Sequence, residues 1–387
     1  MSGIVLSASV RQNLLSLQDT AALLSTTQNR LATGNKVNSA LDNPTNFFTA
    51  QGLNNRASDI NNLLDSIGNG VQVLQAANTG LTSLQKLVDT AKSIANQVLQ
   101  APAGYTAKST VTSAAAIAGT AANLVDGTDI KSGQTLSVAA NGELPAVTVT
   151  FGATETLDQL NTALAAGGVT ASLDSSNKLV LTTTNDYAGQ TIGAVTVGST
   201  PGTTTFGAAV APVADAASQA IRASLVGQYN NIITQITTTS QDSSFNGINL
   251  LNGDNLKLTF DETGKSTLNI TGVTYDAAGL GLGSLTTGTD FLDNASANAA
   301  LTKLSSASTT LRTEASALGS NLSVVQLRQD FNKNLINVLQ TGASNLTLAD
   351  SNEEAANSQA LSTRQSIATS ALALANTSQQ SVLQLLR

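Results

Sequence analysis

The sequence holds 18 basic and 25 acidic side chains in 387 residues, so charge makes up 11% of it, where about a quarter is usual for a soluble protein. It has no His, Cys or Trp, which excludes Ser-His-Asp and Cys-His catalysis, thiolate or imidazole zinc sites, a His-ligated haem and structural disulfides. A net charge of −7 without a basic patch argues against nucleic-acid binding, and the lack of any window of 18 apolar residues argues against a membrane span.

The first eleven residues have no charged stretch ahead of their apolar ones, so a cleavable secretory signal is not expected. Leu14, Leu17, Ala21, Leu24 and Leu31 then follow 3-4 spacing, with only Arg11, Asp19, Arg30 and Lys36 charged in the first 40 residues. Ser, Thr and Asn fill the other positions, and such weak helix formers predict a helix that frays unless something covers it. The five prolines stand at 44, 102, 145, 201 and 212, leaving 45–101 and 213–387 free of the residue that breaks helix interiors. In the first of these stretches Ile60, Leu63, Ile67, Gly70, Leu74, Ala77, Leu81, Leu84, Val88, Ala91, Ala95 and Val98 alternate strictly by three and four. That is a coiled-coil seam, interrupted only by Gly70.

Between Thr106 and Val213 the composition turns to Gly, Thr, Val and Ala in period-two runs, which predicts a separate β-rich domain. Val147–Phe151 reads as a strand. Thr156 to Gln159 is a capping box opening a short helix with Leu157, Leu160 and Leu164 inward, closed by Gly167-Gly168. Residues 169–173 and 178–183 form a hairpin turning at 174–177. A helix over Asp215–Thr237, N-capped by Asp215, is expected to turn Ile221, Leu225, Ile232 and Ile236 to one side. A smaller hairpin follows over Leu256–Ile270, turning at 261–264. A second seam runs from Leu301 to Leu346 through Leu304, Ser308, Leu311, Ala315, Leu318, Leu322, Val325, Gln329, Asn332, Ile336, Leu339 and Ala343. Two long rods near opposite ends of one sequence most simply pack side by side. The last 27 residues carry only Arg364 and Arg387 as charges. Leu361, Ala368, Leu372, Ala375, Val382 and Leu386 form one apolar stripe there, and Ile367, Ala371, Leu374 and Leu385 a neighbouring one. The acidic pairs Glu353-Glu354 and Asp261-Glu262 read as solvated surface rather than as a catalytic carboxylate pair.

Several segments resemble bacterial flagellins, of the alphaproteobacterial kind. The stretch 29–43, Asn-Arg-Leu-Ala-Thr-Gly-Asn-Lys-Val-Asn-Ser-Ala-Leu-Asp-Asn, is similar to that family's N-terminal signature through Arg30, Leu31, Asn38, Ser39 and Asp42. The corner Phe245, Asn246, Gly247 resembles the family's turn after a connecting helix. Leu322 to Arg328, with Gln326, resembles its C-terminal rod, and 380–387 its closing Gln-x-Val-Leu-x-Leu-Leu. The hairpin at 168–183 resembles an insertion repeat of flagellins and hook-associated proteins.

The resemblance implies a mainly α fold with an inserted α+β, β-rich domain. Its frame is a long antiparallel, coiled-coil-like rod built from both termini and carrying a small hairpin. The expected divisions are 1–43 (N-terminal inner-core helix), 44–105 (N-terminal rod helix), 106–213 (outer insert), 214–290 (connecting helix and hairpin), 291–346 (C-terminal rod helix) and 347–387 (C-terminal inner-core helix). It also implies a non-enzymatic, cofactor-free filament subunit, exported unfolded through the flagellum's own apparatus with a chaperone and meeting junction and cap proteins on the way to an extracellular filament. The main partner is itself. Leu14, Leu17, Leu24, Leu31, Leu372, Val382, Leu385 and Leu386 are expected at the self-assembly interface, where the terminal stripes find partners on neighbouring subunits. Ile60, Ile67, Leu74, Leu81, Leu318, Leu322, Ile336 and Leu339 are expected in the rod core. Against a receptor-binding rod motif resembling Leu-Gln-Arg-Val-Arg-Glu-Leu, residues Leu84 to Thr90 carry Val88 at the second basic position, and Gln235 stands where an acidic partner is found, so weak or no activation of the animal flagellin receptor is expected. Two other readings are a hook-filament junction protein, which shares the terminal helices, and a coiled-coil adhesin or carboxylate-based surface hydrolase.

Overall fold

The computed structural model describes residues 8–198 and 204–385, with every side chain in those ranges except those of Ser9, Gln379 and 382–385. Helix α1 (Ala8–Thr33) is followed by α2 (Pro44–Gln100), whose first residue is a proline, the one helical position where the missing N–H costs nothing. Eight short strands and a helix come next: β1 (Tyr105–Ala107), β2 (Thr110–Thr112), β3 (Thr135–Val138), β4 (Val147–Thr150), α3 (Leu157–Leu164), β5 (Val169–Leu173), β6 (Leu179–Thr183), β7 (Val195–Gly198) and β8 (Val213–Ala214). The chain ends with α4 (Ala216–Asp242), the hairpin β9 (Leu256–Thr259) and β10 (Thr267–Ile270), and the helices α5 (Asn294–Thr347) and α6 (Ser351–Leu385). No helix among the described residues is long and apolar enough to cross a membrane. The chain divides into two compact units, one of Met1–Gly70, Lys257–Leu268 and Val324–Arg387, the other of Val71–Leu256 and Asn269–Ser323.

The first unit holds one end of each seam. Ala57 and Ile60 of α2 are buried with Ile336 and Leu339 of α5, backed by Leu53, Leu64 and Leu335. Gly342 lies beside Leu53, so residue numbers fall on one helix as they rise on the other and the pair is antiparallel. Asn332 occupies a buried seam position because its Nδ2 donates to the carbonyl oxygen of Phe260 in the β9–β10 turn at 3.0 Å. Gly70 interrupts the α2 seam for a related reason: a Cβ there would stand 2.3 Å from Cδ2 of Leu258, a buried residue of β9. Gly70→Ala would gain up to about 1 kcal/mol in helix propensity. The displaced Leu258 is expected to outweigh that gain, for a net loss of about 1–2 kcal/mol read from urea unfolding.

In the second unit Leu74, Leu81, Leu84, Val88 and Val98 of α2 are buried, as are Leu304, Leu311 and Leu318 of α5. The polar seam residue Ser308 accepts a hydrogen bond from Gln85 Nε2 at 2.8 Å, a pairing that sets register as buried polar groups do in coiled coils. Helix α4 runs five residues beyond the expected Thr237, and of the four residues expected on its inner side Leu225 and Ile236 are buried, while Ile232 is half-buried. Ser218, Arg222, Leu225, Val226, Tyr229, Ile233, Ile236 and Ser240 face inward, whereas Ile221 is exposed. Apolar spacing locates only part of this face, because the stripe also includes a buried arginine and two serines. Asp215 stands at the N-cap, but its carboxylate takes the Ser218 hydroxyl.

The inserted region belongs to the same unit. It contains two antiparallel three-stranded sheets, ordered β2-β6-β5 and β4-β3-β7, and a two-stranded pair β1-β8. Leu160 and Leu164 of α3 close over a core that includes Leu136, Phe151, Val169 and Leu181. The capping box forms: Gln159 N donates to Thr156 Oγ1 at 3.1 Å, and Thr156 N donates to Gln159 Oε1 at 2.8 Å. Gly168 follows with φ +66°, where the ring of Tyr187 occupies the space a Cβ would need.

Candidate self-assembly interface

The terminal helices α1 and α6 pack against each other within the first unit. On α1 the covered positions are Val10, Asn13, Leu17, Thr20, Ala21, Leu24 and Thr27, and on α6 they are Glu354, Ser358, Leu361, Gln365, Ala368, Leu372 and Ala375. Both sets recur by three and four, so this is another two-helix seam. About half of its positions are polar, and most are only half-buried.

The pairing corrects the expectation that the terminal stripes meet only neighbouring subunits. Leu17, Leu24 and Leu372 are half-buried in the intrachain seam, while Leu14 and Leu31 remain exposed. Val382 and Leu385 lie among the side chains outside the described set, and Leu386 lies outside the described residues. Of the two C-terminal stripes, α1 covers the one through Leu361, Ala368, Leu372 and Ala375, and leaves Ile367, Ala371 and Leu374 exposed. Leu15 and Leu23 of α1 are exposed too; they fall outside the 3-4 pattern. The outcome is a helix pair that satisfies one face of each member and leaves apolar side chains on the others, with few charges around them.

The base of the pair is fixed by polar contacts. Arg30 Nη1 lies 3.3 Å from Glu354 Oε1. Glu354 is therefore a buried partner and not the solvated residue expected. Glu262 likewise pairs with Arg56 Nε at 2.6 Å. The two linkers beyond run against each other: Lys36 N donates to Thr347 O at 2.7 Å, and Ala349 N donates to Gly34 O at 2.9 Å.

The signature residues have structural work nearby. The backbone N–H groups of Asn38 and Ser39 and the Ser39 hydroxyl all donate to one carboxylate oxygen of Asp42, at 3.0, 2.9 and 3.1 Å. These hydrogen bonds, led by that of Asn38, hold the Asp42 carboxyl below its ordinary pKa. A carboxyl depressed in the folded state stabilises it above the unfolded value of about 3.9, and the gain disappears as pH falls through the folded value. Asp42→Asn is therefore expected to lower stability at pH 7, with the gap to wild type closing as pH falls below 4. Unfolding curves at pH 7 and pH 3 check this. Asn246 (φ +51°) and Gly247 (φ +79°) make the two-residue turn in which Phe245 and Ile248 exchange both backbone hydrogen bonds at 3.0 Å, the geometry that Asn-Gly favours. Arg328 lies over the Phe260 ring, 5.8 Å from its centroid, and Gln326 is exposed.

Residues 5–140 match the bacterial flagellin N-terminal helical region and residues 301–386 the bacterial flagellin C-terminal helical region, together more than half of the chain. The chain belongs to the bacterial flagellin family. It is 30% identical to flagellin FljM of Caulobacter vibrioides over 164 residues, 42% of this chain and 59% of that one, and 29% identical to flagellin FljO over the same shares. A shorter match, 36% identical over 93 residues, links it to flagellin A of Rhizobium meliloti and covers 24% of each chain. The chain thus spans about three fifths of the length of the Caulobacter relatives it matches.

Proposed function

We propose that this chain is the repeating subunit of a bacterial flagellar filament, a structural and not a catalytic protein. The observation that carries the reading is the terminal helix pair: one seam is shared within the chain, and Leu14, Leu15, Leu23, Ile367 and Leu374 are left uncovered. Each subunit places that pair among copies of itself through an interface that repeats without closing, as helical polymers do. The few charges on α1 and α6, three on each and of mixed sign, let many copies converge on one axis with little repulsion. The polar, half-buried seam keeps the pair marginal alone, so that ordering it is coupled to association. Export through the flagellum's own apparatus, junction and cap proteins as contacts, and an extracellular location follow from the same reading.

Seeded growth tests it. Monomer mixed with short filament fragments is expected to elongate them in electron micrographs. Growth that stops after a single layer would assign the chain to a junction ring, and no growth at all would reject self-assembly.

A further inference from the structure

The C-terminal half of α5 carries a second apolar stripe that no described residue covers. Its seam side, through Val325, Asn332, Ile336, Leu339 and Ala343, is buried. Turned roughly 120° from that seam, at 100° per residue, stand Val324 (46% exposed), Leu327 (71%), Phe331 (55%) and Val338 (66%). Single exposed leucines are ordinary, but four large apolar side chains in line on one helix face are not. The stripe extends for about 21 Å along the helix. No charged side chain interrupts it: Arg328 is drawn over Phe260, and Asp330 and Lys333 face each other at 3.7 Å beside it.

A second uncovered feature lies in the same unit. Leu41 is 96% exposed, held out by the turn whose N–H groups converge on Asp42. Phe48 is 61% exposed, with its ring set edge-on to Phe47 at 5.5 Å. Outside α1 and α6, and apart from Leu348 in the linker, these two and the four stripe residues are the large apolar side chains that the first unit leaves exposed among the described residues.

We propose that the outer stripe of α5 is a second self-interface, and that its occupant is the Leu41–Phe48 edge of another copy of this chain. The proposal rests on the filament-subunit reading and adds a contact outside the terminal helices. An open helical polymer needs two different, complementary patches on every subunit. Here one is a long uncharged helix face, and the other is a pair of apolar side chains held by a hydrogen-bonded turn and a ring contact. Both lie in the unit that carries the terminal helices, so the contact continues the interface already assigned to neighbouring copies.

The absence of native cysteine makes crosslinking a direct test. A chain carrying Leu41→Cys with Phe331→Cys, and a second carrying Leu41→Cys with Leu327→Cys, are grown on wild-type seeds and oxidised. At least one is expected to give a ladder of covalent multimers on a denaturing gel, whereas the single-cysteine chains and the unpolymerised double variants give none. In parallel, Leu327→Ser with Phe331→Ser is expected to keep wild-type helix content and to need at least ten-fold more monomer to elongate seeds. Polymer without a ladder from either pair, or a folded serine variant that elongates at the wild-type concentration, overturns the proposal. Should the serine variant lose helix content, the crosslinking result decides. Failure of wild-type monomer to elongate would instead defeat the filament reading itself, and this contact with it.

Discussion

Aspartate placed at both Leu23 and Leu374 is expected to abolish polymerisation and leave the folded monomer intact. Both side chains are exposed on faces the intrachain seam does not use, and substitutions at such sites change monomer stability by only about 0.5 kcal/mol. On the proposed reading the same positions are buried against neighbouring copies in the polymer. Each leucine there contributes about 1.5–3 kcal/mol, and an unpaired carboxylate in its place costs more than the leucine gained. With about 1.4 kcal/mol for each factor of ten, the monomer concentration needed for growth rises at least a thousand-fold. Leu17→Ala and Leu372→Ala provide the contrast. They act on the half-buried seam between α1 and α6, so they are expected to lower monomer helicity as well as polymerisation. Sedimentation of seeded polymer together with circular dichroism of the monomer separates the two cases. Filaments at the wild-type concentration from the double aspartate chain would remove the outer faces of α1 and α6 from the interface.

Arg222→Met is expected to cost the second unit about 3–5 kcal/mol. Arg222 is 1% exposed. Its guanidinium donates to the carbonyl oxygens of Ala101, Pro102 and Phe291 at 3.1, 2.7 and 2.8 Å, and to Asn294 Oδ1 at 3.2 Å. It therefore ties together the exit from α2, the segment before α5 and the body of α4. Methionine keeps the apolar stem but strands four acceptors, each worth about 1–3 kcal/mol when buried without a partner. Arg222→Lys is expected to recover only part of the loss, since a compact ammonium does not span four acceptors set around a planar fork. The deficit also carries a pH signature. Burial raises the carboxyl pKa of Asp293, with Arg222 among the groups that oppose the rise. A carboxyl raised in the folded state weakens stability as pH climbs through the folded value. Removing Arg222 enlarges that effect, so the variant's deficit is expected to be smaller near pH 4 than at pH 7. Denaturant unfolding at the two values checks both the size and the sign.

The long seams were legible because a two-helix contact demands apolar residues every three and four positions. Ile60, Ile67, Leu74, Leu81, Leu318, Ile336 and Leu339 are all buried, and Leu322 is half-buried. The capping box at Thr156, the hairpin turn ending at Asn177 and the Asn246-Gly247 corner were legible for a local reason: each is settled by residues within a few positions. The inward face of α4 was legible only at Leu225 and Ile236, because Arg222 is buried by acceptors 69 to 121 positions away, which no local spacing records. The pairing of Glu354 with Arg30 was hidden for the same reason, at a separation of 324 residues.

The sequence by itself determined that this chain builds helices from both ends, that its catalytic repertoire is poor, and that its last 27 residues carry only two charges. These follow from composition and from spacing along one chain. Only the tertiary structure decided which apolar stripe each terminal helix uses on the other and which it leaves uncovered. A stripe has no partner until a second helix lies beside it, and both stripes of α6 have apolar residues at helical spacing. The division between the face that folds the chain and the face left uncovered is made by the packing of α1 on α6.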